Sequence, residues 1–215
     1  MPQLIPVDLQ YVYRLFNVGG TSLVSAAYNG EEDVMPATWV CPLNIVPSRV
    51  TACIDSHHYT RPLIEKSGMF ALALPTMSIV KDVLYLGSVS RNDVDDKLTK
   101  SGAKFFKMPG YDMPFVEGCA CYCVFKTLPE EHIAKAYDLF IGEAVAAWAD
   151  PRVFDGRHWL FEKADKSLST VHYVAGGHFY GIGQVVDVPA ASAKPPAPRF
   201  LAALFYCLKS RPARD

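Results

Sequence analysis

Short apolar runs separated by turn residues dominate the first third of the chain. "SLVSAAY" (22–28) and "VMPATWV" (34–40) predict two strands joined through "NGEED", with Asn29-Gly30 the strongest hairpin signal. "SRVTACID" (48–55) predicts a third strand, β-branched and nearly uninterrupted, as suits burial on both faces. Pro42 and Pro47 confine "PLNIVP" to a loop or an irregular edge. The period then changes. A helix is expected over about 61–67, capped by Thr60, with Pro62 in its first turn and Gly68 after its last. "MFALALP" predicts a fourth strand that ends at Pro75.

Further along, a helix is expected from a Thr76 cap to Gly87, and a short one in "VDDKLTKS". "FVEGCACYCVFKTLP" reads as one long strand. The stretch 132–150 is ambiguous: its alanines favour a helix, while "YDLFIGEAV" tolerates a strand with Gly142 at a bend. "LSTVHYVAGGHFYGIG" predicts a last β segment broken by two glycines. Short strands with helices inserted between them imply an α+β protein centred on an antiparallel β-barrel. The pattern divides the chain into a domain over 1–187 and an extension over 188–215. The extension joins a Pro/Ala/Ser linker to a short amphipathic stretch, "RFLAALFYCLKS".

Composition narrows the possibilities. Half of the residues are hydrophobic and the formal net charge is −1, which gives no electrostatic basis for binding nucleic acid or an anionic membrane. The N-terminus lacks a basic and an apolar region, and the apolar runs are too short to span a bilayer, so a cytoplasmic location is expected. Cys119, Cys121 and Cys123 fall at alternate positions, which on a strand puts them on one face; such spacing splays the sulfurs, and they read as small apolar fillers. A metal or haem site made from His57, His58, His172 and His178 is disfavoured, because adjacent histidines diverge.

The helix start in "SHHYTRPLI" has the chemistry of an anion site. First-turn N–H groups and the helix dipole favour a phosphate monoester there. Ser56, His58, Tyr59 and Thr60 add donors, and Arg61 adds charge. "ATWVC" is expected beside "TACID", so that its backbone faces the same pocket, with Thr38 offering a hydroxyl, Trp39 a stacking face or core anchor, and Cys41 a small polarizable neighbour. Trp39 taken alone reads as core. A phosphate at a helix start with a flat ring along a strand edge points to a mononucleotide.

Ordered blocks carry a further resemblance: "YRLFNVGGTSLVSAAYNG", "DVMPATWVCPLNIVPSRVTACIDSHHYTRPLIEKSGMFALALP", "LGSVSRNDVDDKL", "YDLFIGEAVAAW" and "HYVAGGHFYGIG". In this order, over most of residues 8–185, the chain resembles the FMN-binding split-barrel flavoproteins of the flavin reductase and flavoredoxin type. The resemblance implies a homodimer with non-covalent FMN near the subunit interface, and a strand at "YDLFIGEAVAAW". It places Thr38, Trp39, Val40 and Cys41 along the isoalloxazine and ribityl chain, and Ser56, His58, Tyr59 and Thr60 at the phosphate. "SRNDVDDK" is similar to the family's S-x-R-x-x-D-K loop, so Ser90, Arg91 and Lys97 are expected at the flavin or its phosphate. His172, Tyr173, Phe179 and Tyr180 are the candidates to close over the ring. Asp33 departs from the family pattern and, as a carboxylate near a phosphate, is expected to point away, or else the loop to sit differently.

The activity implied is an oxidoreductase that takes electrons from NADH or NADPH through bound FMN. It would pass them to free flavin, oxygen, an electron-transfer protein or a monooxygenase partner. The alternative is a non-catalytic FMN carrier or sensor reduced by a protein. No G-x-G-x-x-G stands where a separate dinucleotide domain needs it, so a nicotinamide would have to stack in the flavin pocket.

Overall fold

The structure, a computed structural model, describes residues 2–187; the proposed extension over 188–215 lies outside them. After β1 (Ile5–Pro6) and α1 (Val12–Phe16), the hairpin of β2 (Ser22–Tyr28) and β3 (Glu31–Ala37) turns on Asn29 and Gly30 alone. Both turn residues have positive φ, 51° and 82°, as a tight two-residue hairpin turn requires. The strand therefore starts at Glu31, earlier than the pattern suggests. It also stops earlier. The expected strand over 34–40 breaks at Thr38–Trp39, and Val40 opens β4 (Val40–Asn44), which pairs antiparallel with β5 (Arg49–Cys53).

That break carries the chain from one end of the main sheet to the other. With α2 (Thr60–Ser67), β6 (Met69–Pro75), α3 (Val80–Ser88) and α4 (Lys97–Lys100) the chain reaches a separate hairpin of β7 (Phe105–Met108) and β8 (Tyr111–Val116). Next come β9 (Cys119–Thr127), α5 (Glu131–Tyr137) and β10 (Leu139–Ala149). The main sheet runs β3-β2-β6-β9-β10-β5-β4, with β1 also on β10. Its two end strands, β3 and β4, are consecutive in sequence, so a two-residue connector joins opposite edges of one sheet.

The expected long strand is two strands, β8 and β9, separated at Gly118 (φ 89°). An added Cβ there would stand 2.6 Å from the Ile79 side chain. The ambiguous stretch is both things in turn: a helix to Tyr137, a left-handed Asp138 (φ 55°), then β10. The expected helix "VDDKLTKS" contracts to α4. The last segment is the hairpin of β11 (Val171–Ala175) and β12 (His178–Gly181), turning through Gly176 and Gly177.

Alternation along β6 and β9 builds two cores on the two faces of the sheet. Phe70, Leu72 and Leu74 pack with Cys121, Cys123 and Phe125 inside the barrel. Ala71, Ala73, Tyr122 and Val124 pack outside it under Val83 and Leu86 of α3 and Phe115 of β8. Cys119 belongs to the outer group, not with the other two thiols, because the register shifts between Leu74 and Pro75. All three are free, buried thiols, and burial pushes their pKa up, that of Cys121 to about 12, which keeps them inert.

Gly142 does not mark a bend; the bulge of β10 falls between Ala144 and Ala146. Gly142 leaves room for the stacked rings of Phe70 and Phe125, whose centroids are 5.4 Å apart. A Cβ at 142 would lie 2.6 Å from Phe70 Cζ and 2.8 Å from Phe125 Cβ. Gly142→Ala is accordingly expected to cost about 1–3 kcal/mol by overpacking, measured by denaturant unfolding. A neutral result would mean that the rings repack freely. Among the described residues no helix is long and apolar enough to cross a membrane.

Candidate functional site

Two cavities share a wall. The first, about 210 Å³, lies between β3, α3 and the β11–β12 hairpin, and is lined by Thr21, Thr38, Val83, Leu84, Tyr173 and Phe179 together with Pro36, Gly87 and Ser88. The second, about 260 Å³, is lined by the same Pro36, Gly87 and Ser88 and continues to His58, Tyr59, Thr60, Ser90, Arg91, Lys97, Asp33 and Asp93. One compartment is therefore flanked by aromatic and aliphatic side chains. The other is rich in hydroxyls and charge.

Close approach of α3 to β3 makes the shared wall. A Cβ added at Gly87 would stand 2.6 Å from Pro36 Cγ, so the helix reaches the strand only because residue 87 has no side chain. The roof of the first cavity is the β11–β12 hairpin. It is tied to the barrel by Thr21 N–H to the Val171 carbonyl (2.8 Å) and by Tyr173 N–H to Thr21 Oγ1 (3.0 Å). The Tyr173 and Phe179 rings sit 5.1 Å apart across it.

In the second cavity Asp33, Lys97 and Arg91 are already paired. Asp33 does not point away: it is buried, accepts from Thr60 Oγ1 at 2.7 Å and from Lys97 Nζ at 3.1 Å. Lys97 Nζ also donates to the Val34 carbonyl at 2.8 Å. Thr60 thus spends its hydroxyl on Asp33 and caps nothing; the helix begins at Thr60 with no side-chain cap from Tyr59. Arg91 donates to Glu31 Oε2 at 2.5 Å and to the Glu32 carbonyl, and lies over the Tyr59 ring at 4.6 Å. The Tyr59 hydroxyl donates to the same Glu31 Oε2 at 2.8 Å. That bond, then Arg91, lowers the Glu31 pKa; lost hydration, then the bond to Glu31, raises that of Tyr59.

The expected site residues divide accordingly. His58, Tyr59, Thr60, Ser90, Arg91 and Lys97 meet in the second cavity, and Thr38 and Phe179 in the first. Trp39, Val40, Cys41, Ser56 and His172 line neither. Trp39 is 75% exposed instead of core, Val40 packs against the inner core, and Cys41 and Ser56 are exposed. His172 lies against Gly20, whose added Cβ would meet its ring at 3.4 Å. Arg61 also leaves the anion site. It is buried and donates to the Ile54 and Ala134 carbonyls, Asp138 and Glu65. Sequence reasoning missed Thr21, Pro36, Gly87 and Ser88; the one usable signal was a glycine near the end of an apolar helix, read as a stop.

The residues present fit a flavin mononucleotide: one cavity offers aromatic and aliphatic side chains, and the adjoining one hydroxyls, His58 and Arg91, with a wall kept thin by Gly87 between them. A family model described as flavin reductase like domain matches residues 16–168. The crystal structure of an FMN-binding domain of a flavin reductases-like enzyme from Shewanella baltica OS155 is 40% identical, with a TM-score of 0.85 over 87% of this chain and 98% of that one. The uncharacterized protein YddH of Escherichia coli K12 is 33% identical over 189 residues, 86% of this chain and 98% of YddH. Flavoredoxin of Desulfovibrio vulgaris (Miyazaki F) shares the fold at 20% identity, with a TM-score of 0.66 over 82% of this chain and 93% of its own. With two adjoining cavities on an antiparallel barrel, and these matches over most of its length, the chain belongs to the flavin reductase-like family of split-barrel, FMN-binding domains.

Proposed function

We propose that the chain binds FMN non-covalently across the two joined cavities and works as an oxidoreductase that draws electrons from NADH or NADPH. The observation that carries this reading is the shared wall: a cavity flanked by aromatic and aliphatic side chains and one rich in hydroxyls and charge meet at Pro36, Gly87 and Ser88. FMN bound there would supply the redox chemistry, taking electrons from a reduced nicotinamide and releasing them to an acceptor. The protein's part is placement. Tyr173 and Phe179 shield the slot from water on one side and Leu84 narrows it, while the Thr38 hydroxyl offers a donor at its mouth. His58, Ser88, Ser90 and Arg91 hold the phosphate, and no side chain has to act as general acid or base.

Arg91→Ala is expected to weaken FMN binding about tenfold by loss of a charge-assisted hydrogen bond, with riboflavin affinity nearly unchanged. Fluorescence titration with both flavins checks it. The function itself is tested by the visible spectrum of the purified protein, before and after anaerobic NADH or NADPH. Bleaching of a flavin spectrum by either nucleotide supports the reductase reading. A flavin spectrum that neither bleaches favours a carrier or sensor reduced by a protein. A colourless protein that refuses added FMN overturns both.

The reading includes a homodimer. Trp39, Leu43 and Val46, in and beside β4, are 75%, 44% and 68% exposed, an apolar strip at the end of the sheet that a second copy would cover. Sedimentation at micromolar concentration distinguishes a dimer from a monomer.

A further inference from the structure

We infer that Glu31 sets how strongly this chain prefers a phosphorylated flavin over an unphosphorylated one, by holding Arg91 in a partly neutralised position behind the phosphate compartment. The inference rests on the FMN reading above. Arg91 and Lys97 are the arginine and lysine side chains that line the second cavity, alongside His58 and the carboxylates of Asp33 and Asp93. Lys97 is committed to Asp33 within the wall. The positive charge left for a phosphate is therefore that of Arg91, and Glu31 Oε2 already accepts from it at 2.5 Å.

Glu31 does not line the cavity itself; it acts through Arg91 and through Tyr59, whose hydroxyl donates to the same oxygen. It is a positioning residue with two separable contributions. As an acceptor it fixes the Arg91 guanidinium over the Tyr59 ring. As an anion it opposes the phosphate that Arg91 attracts. A glutamine keeps an acceptor oxygen for both donors and removes the charge. Its neighbour Glu32 differs, since that carboxylate is held by Lys107.

The test compares FMN and riboflavin affinities, by fluorescence titration at low salt, for the native protein, Glu31→Gln and Glu32→Gln. Glu31 is half exposed, so Glu31→Gln should fold, and retained riboflavin binding verifies that it does. The expected result is FMN binding tightened roughly fivefold in Glu31→Gln, the scale of one partly exposed charge interaction. Riboflavin affinity should stay put, and Glu32→Gln should behave like the native protein. Unchanged or weaker FMN binding, an equal shift for riboflavin, or equal tightening in Glu32→Gln would each overturn the inference. A native protein that binds neither flavin fails differently: it removes the FMN reading, and this inference with it.

Discussion

Lys97→Met should lower the free energy of unfolding by about 3–5 kcal/mol, the usual cost of leaving one member of a buried ion pair alone. Lys97 and Asp33 are both 2% exposed. Without Lys97, the Asp33 carboxylate would keep Thr60 as its side-chain donor and the Val34 carbonyl would lose the ammonium. The double variant Lys97→Met/Asp33→Asn should recover more than half of the loss, since it removes the stranded charge as well as its partner. Urea unfolding of the single and double variants closes the cycle. Costs that simply add would mean that the two groups are not coupled. Because both line the phosphate compartment, FMN affinity should fall in Lys97→Met even under conditions where the fold survives.

Arg61→Leu is the second large effect, expected at about 2–4 kcal/mol from orphaned buried acceptors. Arg61 ties three segments together. It donates from α2 to the Ile54 carbonyl at 3.0 Å, to the Ala134 carbonyl at 2.7 Å and to Asp138, and it lies over the Phe140 ring at 5.3 Å. Asp138 holds the left-handed turn between α5 and β10. Its carboxylate and that of Glu65 are partly exposed, so water can replace the arginine there; the two carbonyls have less recourse. Arg61→Lys should restore little, because a single ammonium cannot reach the several acceptors that the planar guanidinium serves. Thermal unfolding of both variants checks this. Riboflavin binding is expected to persist at low temperature, as Arg61 touches neither cavity.

These two residues show where the sequence was informative and where it was not. Local chemistry was legible wherever one residue type answers one need. Asn29-Gly30 meets the demand for consecutive positive φ, and Gly68, with φ 69°, ends α2 as expected. Alternation gave the strands, and the cluster at 56–60 gave the polar end of the site. What remained hidden was direction. Thr60 has the composition of a cap, but Asp33, distant in sequence, claims its hydroxyl. Arg61 follows residues that line the second cavity, yet one position further along the helix turns it about 100° away, toward α5. Trp39 reads as core because indole is large and apolar, whereas the strand break around it leaves it exposed. Nothing within "VMPATWVC" marks that break: it is imposed by the pairing of β3 with β2 and of β4 with β5. The β7–β8 hairpin was missed although Pro109-Gly110 stands at its turn.

The ordering of these parts along the chain has a consequence for biosynthesis. Barrel pairing requires every strand through β10, which ends at Ala149, whereas Tyr173 and Phe179 follow on a hairpin that pairs only with itself. A chain emerging from the ribosome at about 5–20 residues per second would complete its inner core first. The slot would gain its roof only when the residues past 171 become free. Until then a nascent barrel presents the Pro36–Gly87 wall, Thr38 and the phosphate compartment to solvent, with nothing over the ring position. A flavin could therefore enter sideways during synthesis and be enclosed as the hairpin docks on Thr21.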